Sequence, residues 1–363
     1  MREKIKAILE RQPGLKAKAI ADQLRLDKTE VNQVLYANKN LFVRDEAFAW
    51  SLSELRVNLG SLRWLNADLF EDALLVSGSP LDSTACCVTF VIGEGCKPLL
   101  EALARLLAIC NQLVSSGKSV SLDFSASKST LSYLNRIGFI DLLHEHVQIL
   151  PKRPKRSTAA TYEGNNDGVV ELRRIDHIDP DNDIPTLLRR SFVSCVGDSY
   201  DVAAHTVLSE LYGNVTEHSE AQTAGFAGLQ YYAKGIPPHI QTVISDNGRG
   251  IVGTLMPVVA QRYPSVARKI SASKEPQVEL LKEVFSTGGI SQVDESGRGL
   301  GLKRSGQFAT KYNAIISVRQ ETFALTAKYK GSKLDFTHRT NLARIAGTHI
   351  CFDFVLDQSA PPA

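Results

Sequence analysis

Near the N-terminus, apolar positions fall into three short helical stripes. Ile5, Ile8 and Leu9 make the first, which Pro13-Gly14 closes, and Ile20, Ala21 and Leu24 make the second. The third opens at Asp27-Lys28-Thr29-Glu30. There Asp27 can accept from the free N–H groups of the first turn, and Glu30 follows three residues later, much as in a capping box. Val31, Val34 and Leu35 then face inward, leaving Thr29, Asn32, Gln33 and Tyr36 as a polar outer face. Leu41-Phe42-Val43, a charged turn at Arg44-Asp45-Glu46 and the run 47–52 predict a two-stranded wing.

Between 55 and 150 the pattern changes to apolar run, helix, apolar run, helix. Strands are predicted at 88–92 and 120–124, helices at 99–114 and 131–143, which together make a small α/β sheet with right-handed crossovers. Ser116-Gly117-Lys118-Ser119 imitates the end of a phosphate-binding loop. However, Gln112 holds the first glycine position, and the triplet follows a helix and leads into a strand, so Gly117 is read as a helix stop. A polar linker spans 151–169, and its basic run Pro151-Lys152-Arg153-Pro154-Lys155-Arg156 is read as solvated. Beyond it, a helix is predicted at 201–219, a strand at 240–245, a helix at 303–312 and a last strand at 350–356, opened by Gly347-Thr348. The expected class is α+β.

Length and charge narrow the field. The chain of 363 residues suggests two or three domains at about 150 residues each. Lys and Arg number 42 against 39 Asp and Glu, so no global field advertises a nucleic acid or a membrane. Cys86, Cys87, Cys96, Cys110, Cys195 and Cys351 contain no C-x-x-C pair, and reduced, mostly buried thiols are expected. No stretch approaches the ~18 apolar residues of a membrane span, and a soluble, cytoplasmic protein is expected.

Three helices and a hairpin within 1–54 resemble a winged helix-turn-helix module. That segment carries ten Lys and Arg against eight Asp and Glu, a weak footprint for phosphate neutralisation. Nucleic-acid binding and protein docking therefore both stay open for it. The run Ser121-Leu122-Asp123-Phe124-Ser125, followed by 131–139, is similar to STAS-like domains, which implies a protein partner for 55–150. The Asp-Ser-Ser-Gly turn that accepts phosphate in anti-anti-sigma members of that family is missing, and only Ser132 lies nearby.

Three motifs follow in order after residue 170. Glu210-Leu211-Tyr212-Gly213-Asn214-Val215-Thr216-Glu217-His218 puts Glu210, Asn214, Glu217 and His218 on one helix face. Asp246-Asn247-Gly248-Arg249-Gly250 sets a carboxylate at a strand end beside glycines that allow close approach of a flat ligand. Gly297-Arg298-Gly299-Leu300-Gly301 leads into a helix and offers N–H groups to anionic oxygens. The ordered set resembles the GHKL family of ATPases, which comprises gyrase, the heat-shock-90 chaperones, histidine kinases and mismatch-repair proteins. The wording of the first motif is nearest the anti-sigma kinase branch.

The resemblance implies a Bergerat-type ATP-binding domain over 170–363, with ATP and Mg²⁺ as cofactors and a lid at about 252–296. It implies that Asn214 ligates Mg²⁺ and that Glu210 acts as catalytic base or positions the nucleophile. Asp246 would accept from the adenine amino group, over a floor of Gly248 and Gly250. Gly297, Gly299 and Gly301 would wrap the phosphates, Arg298 would stabilise charge, and Thr348 would position a water beside Asp246. His218 matches a basic position near the phosphates, with a plain helix-surface histidine as the alternative.

Three functions fit that pattern: a regulatory switch driven by ATP binding and hydrolysis, a protein kinase of partner-switching regulation, and a non-catalytic nucleotide sensor on a DNA-binding regulator. A base beside the metal ligand favours the first two. A homodimer is among the assemblies such domains form. Bacterial chains of this architecture resemble components of stress-response and defence loci.

Overall fold

The computed structural model describes residues 1–61, 64–176, 178–218, 224–286, 290, 314–330 and 333–356, with the backbone alone at 203, 214 and 216–218. The protein is mixed α+β, with one parallel and two antiparallel sheets.

The N-terminal unit contains α1 (Arg2–Arg11), β1 (Leu15–Lys16), α2 (Ala17–Leu24), α3 (Lys28–Ala37), β2 (Phe42–Arg44) and β3 (Ala49–Leu52). Ile5, Leu9, Ile20, Val31 and Leu35, which the helical spacing anticipates, form its core with Phe42 and Trp50 of the wing. Asp27 caps α3, its carboxylate accepting from Thr29 N at 2.6 Å. The wing has a third strand, because β1 pairs with β3 through Leu15 and Trp50.

The middle unit is built from β4 (Glu54–Asn58), α4 (Ala67–Ser77), β5 (Cys87–Val91), α5 (Leu100–Ser115), β6 (Ser119–Asp123), α6 (Lys128–Arg136), α7 (Phe139–Leu142) and β7 (Gln148–Leu150). Its strands lie in chain order, β4-β5-β6-β7, all parallel. Successive right-handed crossovers in one direction stack the helices on one face of such a sheet. The helix predicted at 131–143 is split at Gly138, whose φ of +79° suits glycine and whose Cα lies too close to the Leu172 carbonyl for any side chain.

The linker departs from its expectation. A short helix α8 (Ala159–Tyr162) occupies part of it. Arg153 is not simply solvated, because its guanidinium donates to the carbonyls of Ile140, Leu143, His144, Glu145 and Val147 around the end of α7. Arg153 thus satisfies helix-end acceptors that have no partner within the helix.

A seven-stranded antiparallel sheet completes the chain. Its strands are β8 (Val169–Ile175), β9 (Gly225–Tyr232), β10 (His239–Asp246), β11 (Ala314–Glu321), β12 (Phe323–Lys330), β13 (Lys333–Arg339) and β14 (Ile345–Val355), in the order β13-β12-β11-β14-β10-β9-β8. One face is covered by α9 (Asp183–Val196), α10 (Asp201–His218), α11 (Gly250–Arg262), α12 (Pro264–Ala272) and α13 (Pro276–Ser286), whose apolar residues join Ile244, Ile316, Val318, Leu325 and Phe352 in one core. The other face sends Phe226, Val243, Ile345 and Cys351 into the core of the middle unit. Helix α5 packs directly on β10 and β14. Four layers result: helices, antiparallel sheet, helices, parallel sheet.

Polar contacts tie the inner layers together. Glu71 of α4 is 1% exposed and accepts from Arg105 Nη1 at 2.8 Å and from Arg319 Nε at 2.9 Å. Glu101 accepts from Arg105 Nη2 at 2.5 Å and from the Ser317 hydroxyl at 2.6 Å. At the start of α5, Leu100 N donates to the Tyr232 hydroxyl at 2.8 Å, and from α6 Tyr133 donates to Gln230 at 2.6 Å.

Candidate functional site

Strand β10 ends on Asp246, which pairs with Thr348 of β14 in the antiparallel ladder. Paired residues project to the same side of a sheet, so the register brings a carboxylate and a hydroxyl together. Asp246 is 8% exposed. Its Oδ1 accepts from Gly248 N at 2.5 Å, and the register places the Thr348 hydroxyl beside it, where it favours the charged carboxylate. Burial outweighs both influences and pushes the Asp246 pKa up to about 6. A carboxylate kept this dry gains more than an exposed one from an N–H donor brought by a ligand.

Gln320 of β11 organises the surroundings. Its Nε2 donates to Thr348 Oγ1 at 2.7 Å, while its Oε1 accepts from Val252 N at 3.2 Å. The same side chain therefore holds Thr348 in place and fixes the first turn of α11. Gln320 pairs with Thr348, yet its neighbour Glu321 pairs with Ile345, which makes Ala346 and Gly347 a bulge. The last strand consequently starts at Ile345 rather than at 350, with Gly347-Thr348 inside it.

Two glycines have conformations that few other residues could take. Gly347 has φ +88°, and a Cβ there would overlap the carbonyl oxygen of Asp246. Gly250 has φ +73°, and a Cβ would sit 3.0 Å from Gln320 Nε2 and 3.4 Å from Gly347 O. Both keep the backbone close around the acid.

Glu210 and Asn214 lie one turn apart on α10. A Cβ at Gly225 would be 2.9 Å from Val215 Cγ1 and 3.6 Å from the Asp246 Cα. Glycine at that point lets the Asn214 stretch of α10 run against the end of β10. Glu210 is half-buried. The structure thus gathers Asp246, Gly248, Gly250 and Thr348 at one end of the sheet and brings the helix of Glu210 and Asn214 beside them. Thr348 lies directly opposite Asp246 in the ladder, in the place its expected role beside the acid requires. Gly297, Arg298, Gly299 and Gly301 lie outside the described residues, as do the helix expected at 303–312 and the side chains of Asn214, Glu217 and His218. The segment expected as a lid begins as α11, α12 and α13, which contribute Leu255, Val259, Ile270, Leu281 and Phe285 to the core. Its remainder, apart from Ile290, is outside the described residues.

Two participants escaped the sequence reading. Gln320 lies between Arg319 and Glu321 at the polar end of β11, and nothing in that run marks it out from its neighbours. Gln112, noted only as a misfit in a false phosphate loop, comes from α5. Its Nε2 donates to Asn247 Oδ1 at 2.8 Å and to Ala346 O at 2.9 Å, and its Oε1 accepts from Ala346 N at 3.0 Å.

At the other end of the chain, the wing carries a cation on aromatic rings. The Arg44 guanidinium lies 4.7 Å from the Phe48 ring centre, 5.5 Å from that of Tyr36 and 5.9 Å from that of Trp50. Phe48 is 63% exposed and Tyr36 44%, so Tyr36 of the expected polar face belongs to a mixed aromatic and cationic surface.

Among the described residues, no group of three or more His, Cys, Asp and Glu could hold a metal, and no helix is long and apolar enough to cross a membrane. Compared with protein-family models and with curated proteins, the chain matches none.

Proposed function

We propose that the chain is a Mg-ATP-binding regulatory protein in which ATP binding and hydrolysis act as a conformational switch. In this reading the segment 170–363 is a GHKL-type ATPase domain of the Bergerat kind, the middle unit is STAS-like, and residues 1–54, as a winged helix, make the outward contact with a nucleic acid or protein.

One observation carries the reading: a buried carboxylate at a strand end, held by the Gly248 N–H and facing Thr348 across the ladder, with glycine at 250 and 347 keeping the backbone close. Such a group suits an exocyclic amino group of a purine, which supplies the donor that offsets desolvation. The acceptor therefore fits the amino group of adenine. Asn214 has a hard amide oxygen of the kind Mg²⁺ accepts, on a helix running beside the acid. Magnesium would neutralise phosphate charge. Glu210, one turn away, would orient or deprotonate the attacking water.

Isothermal titration of the full chain with Mg-ATP tests the site. Asp246→Asn should weaken binding at least about tenfold, the scale of one charge-assisted hydrogen bond; equal binding by the variant ends the reading. Glu210→Ala should bind ATP normally and release no phosphate, and full-rate release removes Glu210 as the base. With γ-labelled ATP the label should emerge as free phosphate, whereas label on a protein would establish the kinase alternative.

A further inference from the structure

We propose that Gln112 of α5 is a positioning residue for the nucleotide pocket, through which the middle unit sets affinity and purine preference. The inference rests on the adenine-binding reading of Asp246.

Three observations converge on this side chain. First, its amide engages both polar groups of one backbone residue, accepting from Ala346 N and donating to Ala346 O. Ala346 lies in the bulge, where the ladder to β11 is out of register. Gln112 thus stands in for the missing strand partner of a residue two positions before Thr348. Second, the same Nε2 donates to Asn247 Oδ1, and the Asn247 amide in turn donates to Ala224 O at 3.2 Å. Asn247 directly follows Asp246, so both backbone segments flanking the acid are held by one residue of another unit. Third, α5 is itself held on the side of the middle unit. Asn111, the preceding residue, donates to Leu142 O at 3.0 Å and accepts from His144 N at 2.8 Å. A displacement of the α7 turn or of α5 is therefore passed to the Asp246 loop through two adjacent amides.

This linkage is short and specific. Elsewhere the seam is formed by apolar contacts, ion pairs and hydrogen bonds such as Tyr133 to Gln230, which bind the layers without touching the loop after β10. Gln112 alone among the described residues of α5 forms a side-chain hydrogen bond to both the Asp246–Gly250 loop and the Gly347 bulge. A binding partner on the middle unit that shifts α5 would alter nucleotide binding, and nucleotide would alter partner binding by the same factor.

The test measures ATP and GTP binding by the full-length chain, because the ratio reports the placement of Asp246, whereas general loosening would not change it. Gln112→Ala should weaken Mg-ATP binding by roughly fivefold to tenfold, GTP binding less, so that the preference for ATP shrinks. Gln112→Glu, which keeps the length and reverses the donor facing Asn247 Oδ1, should do the same. Tyr133→Phe removes a seam hydrogen bond far from the loop and should leave the ratio unchanged. Unaltered affinity and ratio in both Gln112 variants, with Asp246→Asn still defective, overturn the inference and spare the site. An equal drop in the ratio for Tyr133→Phe overturns it too, by showing that any loosening of the seam suffices. Wild-type binding by Asp246→Asn removes the underlying reading instead.

Discussion

Arg319 and Glu71 meet where two sheets are joined, Nε and Oε1 2.9 Å apart, with side-chain exposures of 0% and 1%. Burial lowers the Arg319 pKa, while the Glu71 carboxylate opposes that shift. Arg105 reaches the same carboxylate from the next helix. Two guanidinium groups thus share one acid, with Glu101 as a second partner for Arg105, and the pair joins the middle unit to the seven-stranded sheet.

Glu71→Ala should be among the most damaging single changes in the protein. It leaves the buried Arg319 without its carboxylate and Arg105 with Glu101 alone, an imbalance that costs about 3–5 kcal/mol. Urea denaturation of the variant should show that loss, with fluorescence and circular dichroism following a common transition because the two units share the pair. A shift under about 1 kcal/mol would mean that water relieves the charges.

The acid at the end of β10 makes stability depend on pH. Its pKa rises from 3.8 in the unfolded chain to about 6 in the fold. The folded state therefore keeps a proton between roughly pH 4 and 6 that the unfolded chain has released. Asp246 then favours folding below that window and opposes it above, by about 3 kcal/mol at full ionisation. Asp246→Asn should raise the melting temperature of the nucleotide-free protein at pH 8, and the gain should vanish below about pH 4. In the proposed role ionisation also strengthens the acceptor, so Mg-ATP affinity should fall as pH drops from 7 to 5. A flat profile in both experiments would show that the carboxyl titrates normally.

Gly347→Ala should lower stability by about 3 kcal/mol, from a positive φ and a collision with the Asp246 carbonyl. Gly253→Ala is the control, because glycine costs about 1 kcal/mol relative to alanine inside a helix and the nearest atom, Arg249 Cβ, would be 3.4 Å away. Thermal denaturation should therefore separate the two variants in opposite directions.

Arg153→Lys should not preserve the function of Arg153. The planar guanidinium reaches five carbonyls at the end of α7, and an ammonium has three donors. A loss of about 1–2 kcal/mol in chemical denaturation is expected for the lysine variant.

Local elements were legible in the sequence because local chemistry fixes them. Asp27 capping α3, the apolar stripe of α5 and the strand running into Asp246 all act over one or two turns or a few strand positions. The seam was not legible. Glu71 and Arg319 lie 248 positions apart, and Gln112 and Ala346 234 apart. On helices α4 and α5, Glu71, Glu101 and Arg105 look like solvated positions until a second sheet covers them. Gly138 shows the same effect in the backbone, since the approach of Leu172 that excludes a side chain comes from beyond the linker. At the candidate site, the acid and its glycines could be read from composition and order, whereas Gln320 and Gln112 required knowledge of which strands neighbour one another.

The middle unit lies on the back of the seven-stranded sheet and so removes that surface from intermolecular use. Two copies of this chain cannot associate back to back through β10 and β14 without first peeling off their own α5. Self-association would have to use other surfaces, among them the exposed aromatic face of the N-terminal wing around Phe48 and Tyr36.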